Sequence, residues 1–281
     1  MRYCVVVFLF VASTSYGQWQ AEVMAGLSGY RGDLTQKYFL PKTLRPAVNV
    51  NLKYNFNNDF VLRGGIAWGK VGGNDKYNKD IFIHARNLNF KSQIIELSFC
   101  AEYNLLEPEI FYAYPYIFGG IGLFHFSPYT LDKDNKKTYL RPLSTEGQGI
   151  AEYPNRKRYS KTQFCMPFGA GWKYQLNDNF EIIYEIGYRL IFTDYLDDVS
   201  TTYIDANILL ANRGLKAVEL AYRAKPLPGG HPLPQGNGAQ RGNTSIKDWY
   251  FINGIKLLIH LGTPIASLKK EKNKIRVPVL F

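Results

Sequence analysis

The feature that most constrains this chain is a set of eight segments in which bulky apolar residues alternate with polar or small ones. The segments are Glu22–Tyr30, Ala47–Phe56, Phe60–Lys70, Ser92–Asn104, Tyr114–Phe126, Gln163–Gln175, Phe180–Phe192 and Trp249–Leu261. A period of two places successive side chains on opposite faces of a β-strand. A tilted strand needs about 9–11 residues to cross an outer membrane, and each segment is long enough. They therefore predict membrane-crossing strands.

The seventh segment shows the alternation most clearly. One face carries Phe180, Ile182, Tyr184, Ile186, Tyr188, Leu190 and Phe192, and the other carries Glu181, Glu185, Gly187 and Arg189. Bulk on one face and charge on the other is the pattern of a strand between lipid and a polar lumen. The fifth segment is apolar on both faces and rich in glycine, so its orientation stays open.

The connections between the segments are alternately long and short, at roughly 16, 3, 21, 9, 36, 4 and 56 residues. Outer-membrane barrels have short periplasmic turns and longer extracellular loops, whereas a soluble sandwich has no reason to sort its loops by end. Two short turns are Asn57-Asn58-Asp59 and Asn177-Asp178-Asn179, which is turn chemistry. We predict an all-β fold, an eight-stranded antiparallel transmembrane β-barrel with up-and-down topology, and a short helix after Gly214 in the last extracellular loop.

Aromatic residues lie where the two membrane interfaces should be. They make up 15% of the chain. Tyr54, Phe56, Phe60, Tyr103, Tyr174 and Phe180 flank the short-turn end, and Trp68, Phe164, Phe192 and Trp249 flank the long-loop end. Such girdles border the apolar band of outer-membrane barrels.

The two ends of the chain differ from the barrel segment. Residues 1–17 read as a cleaved signal peptide, with Arg2, an apolar run from Cys4 to Ala12 and small residues before Gln18. Residues 18–262 are assigned to the barrel. Residues 263–281 form a basic periplasmic tail that contains Lys269, Lys270, Lys272, Lys274 and Arg276.

The predicted inward faces carry as many acids as bases. The acids are Glu22, Glu96, Glu102, Glu181 and Glu185, and the bases are Lys53, Arg63, Lys173, Arg189 and Lys256. An eight-stranded barrel is only wide enough inside for side chains to fill it, and buried charges must be paired. We expect a structural salt-bridge network that plugs the lumen; a proton or ion path is the alternative.

Catalytic and metal-binding patterns are weak, and we predict no enzyme activity, cofactor or metal. His125 and Ser127 are the one local pair that a lipid-modifying barrel enzyme could use. Asp194, Asp197, Asp198 and Asp205 could hold Ca²⁺, but their spacing matches no EF-hand, so we expect a solvated loop. Cys100 and Cys165 fall on inward faces two strands apart, too far for a disulfide.

Four segments carry a resemblance to a known family: residues 26–34 (GLSGYRGDL), 116–126 (YIFGGIGLFHF), 166–205 and 241–261. They resemble an outer-membrane barrel family of Bacteroidota, catalogued as a domain of unknown function, which includes PorG-like components of the type IX secretion system. The most specific part is TDYLDDVSTTYID, residues 193–205. The resemblance implies a structural role beside periplasmic ring proteins like PorK and PorN, and it supplies no catalytic residues.

The sequence leaves three functions open. The first is a non-enzymatic barrel that anchors a protein secretion assembly through its periplasmic turns, especially Leu105–Ala113, and its basic tail. The second is a small barrel for adhesion or transport that works through its extracellular loops, and the third is a lipid-modifying enzyme. After Arg2 is removed, 33 basic residues face 23 acidic ones, a net charge of +10, which suits outer-membrane lipid and lipopolysaccharide better than nucleic acid.

Overall fold

A computed structural model describes residues 19–37, 39–245 and 247–261. The predicted signal peptide and the basic tail both lie outside these residues.

Eight long antiparallel strands form a closed barrel. They are β1 (Trp19–Arg31), β2 (Arg45–Asn55), β3 (Phe60–Asn74), β4 (Asn89–Asn104), β5 (Ala113–Leu131), β7 (Thr162–Gln175), β8 (Phe180–Ile191) and β9 (Trp249–His260). Each pairs with the next along the barrel, and β1 closes the ring on β9 from Gln20 opposite His260 to Arg31 opposite Trp249. A short strand, β6 (Lys137–Tyr139), pairs only with the outer end of β5. The closed eight-stranded barrel confirms the predicted fold class.

The strands reach further toward the long-loop end than the alternating segments do. β3 continues to Asn74 and β5 to Leu131, and β4 begins at Asn89. Backbone pairing there extends beyond the region in which lipid lies on one side and the lumen on the other, so the side-chain alternation ends before the strands do.

The structure orients the fifth segment, which the sequence left open. Tyr116, Phe118 and Phe124 of β5 are buried in the lumen, whereas Ile117 and Ile121 are 49% and 64% exposed on the outside. Both faces are apolar because the inward aromatic rings fill the barrel while the outward aliphatic residues face lipid.

Large apolar side chains cover the outer surface of the barrel. Members of this band include Val50, Ile66, Leu97, Phe99, Phe164, Ile186 and Ile255, each at least 38% exposed. Near the short-turn end the rings of Trp19 and Tyr54 meet edge to face with centroids 5.0 Å apart, and those of Phe60 and Tyr103 lie 4.9 Å apart. An apolar band with aromatic edges around a polar interior is the surface of a transmembrane β-barrel.

The tight turns owe their shape to asparagine side chains. Asn57 Oδ1 accepts the amide protons of Asp59 and Phe60, at 3.0 and 2.7 Å. Asn177 Oδ1 does the same for Asn179 and Phe180, at 2.9 and 3.0 Å. Each side chain replaces a backbone acceptor, as in an Asx turn, so two neighbouring strands can be joined with almost no loop.

Helices occur only in the long connections among the residues described. α1 spans Ile81–Arg86, α2 spans Ala206–Arg213 and α3 spans Leu215–Ala221. α3 is the helix predicted after Gly214, and α2 precedes it under the N-cap of Asp205, whose carboxylate accepts two amide protons. Within the described ranges, no helix has the length and apolar character needed to cross a membrane.

We expect arginine on the lipid face to block assembly. Phe168 and Ile186 are 41% and 38% exposed on β7 and β8, and arginine near the bilayer midplane costs about 2–4 kcal/mol. Phe168→Arg and Ile186→Arg should each reduce the folded fraction in lipid vesicles, measured by heat-dependent mobility on gels. Leu215→Arg is the matched control, because Leu215 is 63% exposed on α3 in an extracellular loop. Normal insertion of both lipid-face variants would contradict the assignment of these side chains to the lipid face.

Candidate functional site: a charged lumen beneath a polar cap

The structure places all the predicted inward charges inside the barrel. The ten residues are Glu22, Lys53, Arg63, Glu96, Glu102, Lys173, Glu181, Glu185, Arg189 and Lys256, and each is at most 6% exposed. They come from seven of the eight long strands, because the inward rows of neighbouring strands meet in a lumen this narrow.

Glu102 on β4 binds three cations. Its carboxylate lies 3.0 Å from Lys53 Nζ, 2.9 Å from Arg63 Nη1 and 3.0 Å from Lys173 Nζ. These bases come from β2, β3 and β7, so this one carboxylate links strands around the barrel. The loss of such a partner would leave three buried charges under-compensated.

Glu22 and Glu185 extend this cluster across the lumen. Lys256 Nζ lies 2.8 Å from Glu22 and 2.6 Å from Glu185, and Lys53 Nζ lies 2.5 Å from Glu22. Arg63 also reaches Glu185 at 2.6 Å. The result is one connected cluster in which Glu22, Glu102 and Glu185 each contact at least two bases.

Two further acids form separate pairs. Glu96 holds Arg189 Nε at 2.8 Å and accepts a hydrogen bond from Tyr250 at 2.7 Å. Glu181 lies 3.2 Å from His260 Nε2 and accepts from the Tyr114 hydroxyl. Glu96 and Arg189 lie nearer the extracellular end, and Glu181 lies at the periplasmic end.

Sequence reasoning missed the tyrosines and the histidine of this network. Tyr116 donates to Glu185 at 2.5 Å. Tyr114 donates to Glu181, and Tyr250 donates to Glu96. His260 sits beside Gln20 and Glu181. The alternation of side chains along a strand could have found them. His260 lies on the same face of β9 as the inward Lys256, and Tyr114 and Tyr116 share one face of β5.

Several side chains that could take part in chemistry make structural contacts. Glu185 is bound by Arg63, Lys256 and Tyr116, so its carboxylate is committed to structural partners. His125 faces outward, and its Nδ1 lies 3.0 Å from Thr162 Oγ1, while the Ser127 amide donates to Ser92. Cys100 and Cys165 are free thiols buried in the lumen.

The long connections fold over the barrel as a polar cap, and the expectation of a solvated acidic loop is wrong. Asp194, Asp197 and Asp198 are 7%, 1% and 0% exposed; only Asp205, the α2 N-cap, is near the surface. They are buried because residues 132–161 and 192–245 pack on each other as well as on the barrel rim. For example, Thr145 and Tyr159 both donate to Asp198.

Two buried arginines hold the cap together. Arg86 pairs with Asp75 at 2.7 Å and also donates to the backbone carbonyls of Asp33 and Arg241. Arg241 pairs with Glu146 at 2.8 Å, and Glu146 in turn accepts the amide protons of residues 200 and 201. Together these contacts link all four long connections into one network.

The cap contains more buried acids than bases, and their proton affinities rise as a result. Burial raises the pKa of Asp33 to about 7 and those of Asp194 and Asp198 to about 6. Burial, with mutual repulsion, raises the pKa values of Asp197 and Asp248 well above the usual range. The Tyr30 hydroxyl lies 2.5 Å from Asp197 and 3.1 Å from Asp248, so a proton shared at this point relieves the repulsion. Among the residues described, no group of three or more histidines, cysteines or acids is placed to hold a metal ion.

The sequence profile of a family described as a domain of unknown function (DUF6089) matches residues 1–209. No curated protein sequence matches the chain.

Three solved structures are similar in fold. Neisserial surface protein A is 12% identical with a TM-score of 0.43, over 86% of this chain and 96% of that one. Ail, the attachment invasion locus protein of Yersinia pestis, is 12% identical with a TM-score of 0.38, over 86% and 99%. OprG of Pseudomonas aeruginosa is 10% identical with a TM-score of 0.35, over 87% and 98%. Similarities at this level concern the fold alone.

The Glu96–Arg189 pair allows a test of charge pairing in the lumen. Glu96→Met should lower the free energy of unfolding by about 3–5 kcal/mol, because it leaves a buried arginine without its partner. The double variant Glu96→Met/Arg189→Met should recover part of the loss, since an apolar pair replaces the ion pair at little cost but the Tyr250 hydroxyl loses its acceptor. Urea unfolding in lipid vesicles, followed by tryptophan fluorescence, measures both. A double variant as unstable as the single one would contradict this account.

We expect the cap to loosen as pH rises. The folded pKa values of Asp33, Asp194 and Asp198 lie above those of an unfolded chain. Their contribution to stability is therefore complete below about pH 4 and is lost as pH rises through about 6–7. Hydrogen exchange of residues 194–200, corrected for intrinsic rates, should be faster at pH 8 than at pH 5.

The control for this experiment is a carboxyl-to-amide change at a different place. Asp33→Asn should weaken the pH dependence, because an amide keeps the acceptor for the Asn243 amide but has no proton to lose. Asp178→Asn, in an exposed periplasmic turn, should leave the dependence unchanged. Equal exchange at both pH values in the unaltered protein would exclude proton sharing in the cap.

Proposed function

The chain belongs to the DUF6089 family, and from that membership and the filled barrel we propose that it is a non-enzymatic outer-membrane protein that anchors a protein secretion assembly. In this role it would resemble PorG-like components of the type IX secretion system. A signal peptide at residues 1–17 would direct its export, and lipopolysaccharide and phospholipid would surround the barrel.

The observation that carries the proposal is the filled lumen. The interior holds ten charged side chains and large aromatic rings, and the cap lies over its outer end. A solute path would have to break several buried ion pairs, each costly to separate. A barrel that cannot conduct acts through its outer surfaces, which suits an anchor better than a transporter.

The periplasmic surface offers a place for a partner. The β4–β5 turn exposes Leu105, Leu106 and Ile110, at 49%, 38% and 36%. Grouped aliphatic side chains at the end of a barrel favour a protein contact over free exposure to water. The neighbouring tail would add Lys269, Lys270, Lys272, Lys274 and Arg276. Periplasmic ring proteins like PorK and PorN are the partners that this role calls for.

A second function is supported by the ordered cap. The buried Arg241–Glu146 ion pair joins residues 132–161 to residues 192–245, and Arg86–Asp75 orders the β3–β4 connection beside them. An ordered extracellular surface suits recognition of an external ligand. This alternative, adhesion or transport through the loops, requires no periplasmic partner. The lipid-modifying alternative has the least support, since His125 contacts Thr162.

Co-purification from native membranes separates these functions. We expect periplasmic ring proteins to be recovered with the unaltered barrel, and the double variant Leu105→Ser/Ile110→Ser to reduce their recovery. Leu215→Ser, which removes an exposed leucine from the extracellular side, is the matched control. Deletion of residues 267–281 tests the tail in the same way, at low and high salt.

Each outcome points to one function. Ring proteins that depend on the β4–β5 turn or on the tail support anchoring. Absence of any periplasmic partner, with an external ligand recovered instead, would favour the second function. A stable, large conductance of the purified barrel in planar bilayers would contradict the filled lumen and the anchoring role together.

A further inference from the structure

A groove of about 380 Å³ opens at the extracellular end, between the tips of β3, β4 and β5 and the segment that follows α3. Four cationic side chains line it: Arg45, Lys76, Lys91 and Arg223. They come from four separate parts of the chain that only the folded cap brings together. The groove lies apart from both the lumen and the periplasmic turns.

The groove has an unbalanced positive charge. Within the described ranges, none of the four cations forms a salt bridge, and the one carboxylate in the lining is Asp132. Lys216 Nζ binds that carboxylate at 2.8 Å, and the amides of residues 134 and 136 donate to it. These contacts hold the pKa of Asp132 at about 2. Asp132 is therefore ionised, and its negative charge is already paired with Lys216, which lies outside the groove.

Arg223 is the strongest pointer to a ligand. Arg86 and Arg241, the buried arginines of the cap, each have a carboxylate partner. Arg223 is half-buried, yet its Nη1 donates to the Thr130 hydroxyl at 3.0 Å and it pairs with no carboxylate of the described chain. Burial without a counter-charge lowers the pKa of its guanidinium. A planar guanidinium in this situation fits a phosphate, sulfate or carboxylate group.

The rest of the lining suits a sugar. Asn74, Asn89 and Asn135 line the groove with side-chain amides. Asn74 Oδ1 accepts the Lys76 amide proton and Asn89 Oδ1 accepts the Thr130 hydroxyl, so these two residues offer their Nδ2 groups to sugar oxygens. Tyr77 adds an aromatic ring, with Lys42 Nζ 5.8 Å and Lys76 Nζ 4.9 Å from its centroid. An anionic group held among many hydroxyl-binding side chains matches a phosphorylated saccharide better than a bare ion.

The groove also lies at the height of a lipid headgroup. Lys91 continues the outward row of β4 above Ile95, which is 53% exposed in the lipid-facing band, and the two are about 13 Å apart along the strand. Ile95 pairs with Trp68, part of the outer aromatic girdle. Lys91 therefore lies just above the membrane interface, where outer-leaflet saccharides begin.

We propose that this groove binds a phosphorylated saccharide, with Arg223 and Lys91 holding the phosphate and the asparagine side chains holding sugar hydroxyls. The saccharide can come from a glycolipid of the surrounding outer leaflet or from a soluble glycan. In either case the site is independent of the proposed anchoring role, because it lies on the opposite side of the membrane from the periplasmic partners.

The test is a binding measurement on the purified full-length barrel in nanodiscs of zwitterionic phospholipid. Three soluble probes are compared by calorimetry: the deacylated, diphosphorylated disaccharide of lipid A, the same disaccharide without phosphates, and inorganic phosphate. We expect the phosphorylated disaccharide to bind at least about tenfold more tightly than either other probe, because both phosphate and sugar contacts contribute. Its affinity should fall at high salt.

Variants assign the binding to the groove. Arg223→Gln and Lys91→Gln should each weaken binding about tenfold, which corresponds to the loss of one charge-assisted hydrogen bond. Arg223→Lys should fall between, since it keeps the charge but not the planar fork. Lys137→Gln, an exposed lysine on β6 outside the groove, is the matched control. Heat-dependent gel mobility verifies that every variant is folded.

The outcomes decide the proposal and the source of the ligand. Stronger binding of intact lipid A in the nanodisc than of the soluble disaccharide would support a lipid source, and equal binding would support a soluble glycan. Inorganic phosphate that binds as tightly as the disaccharide would overturn the saccharide assignment. Binding that Arg223→Gln and Lys91→Gln leave unchanged would overturn the site.

Discussion

The rest of the structure depends on the pairing of charges in a lumen too narrow for bulk water. Ten ionisable side chains are buried inside eight strands, and Glu102 alone compensates Lys53, Arg63 and Lys173. In a low-dielectric interior an unpaired charge is far more costly than an unpaired neutral group. Register is therefore fixed twice: by the lipid-facing apolar rows outside, and by the requirement that each inward charge meets its opposite. A slip of one residue would break both.

The same requirement is met differently in the cap. There the acids outnumber the bases, and Arg86 and Arg241 neutralise only Asp75 and Glu146. Protons make up the difference, as the raised pKa values of Asp33, Asp194 and Asp198 indicate. The lumen is thus held by ion pairs such as Glu96 with Arg189, whereas the cap is held in part by shared protons. The membrane-embedded and extracellular parts of one barrel differ in what can loosen them.

Because the lumen is filled, each proposed binding surface lies on one side of the membrane. The periplasmic end presents Leu105, Leu106 and Ile110, an apolar surface that fits a protein partner. The extracellular end presents Arg223, which pairs with no carboxylate of the described chain, in a cationic, amide-lined groove that fits an anionic sugar. The charged network of the lumen lies between the two surfaces.

The sequence by itself determined the eight barrel strands, the inward charges and the ends to which the loops belong. These follow from local rules: a period of two, asparagine turns such as Asn57, and the fact that opposite charges on inward faces of a narrow barrel must meet. The tertiary structure alone decided the orientation of β5, whose two apolar faces carry no local signal, and the partner of each charge, such as Lys256 with both Glu22 and Glu185. It also decided that Asp197 and Asp198 are buried and that Arg45, Lys91 and Arg223 share one groove. Residues far apart in the chain become neighbours there through loop packing, and no short-range pattern records which loops will pack together.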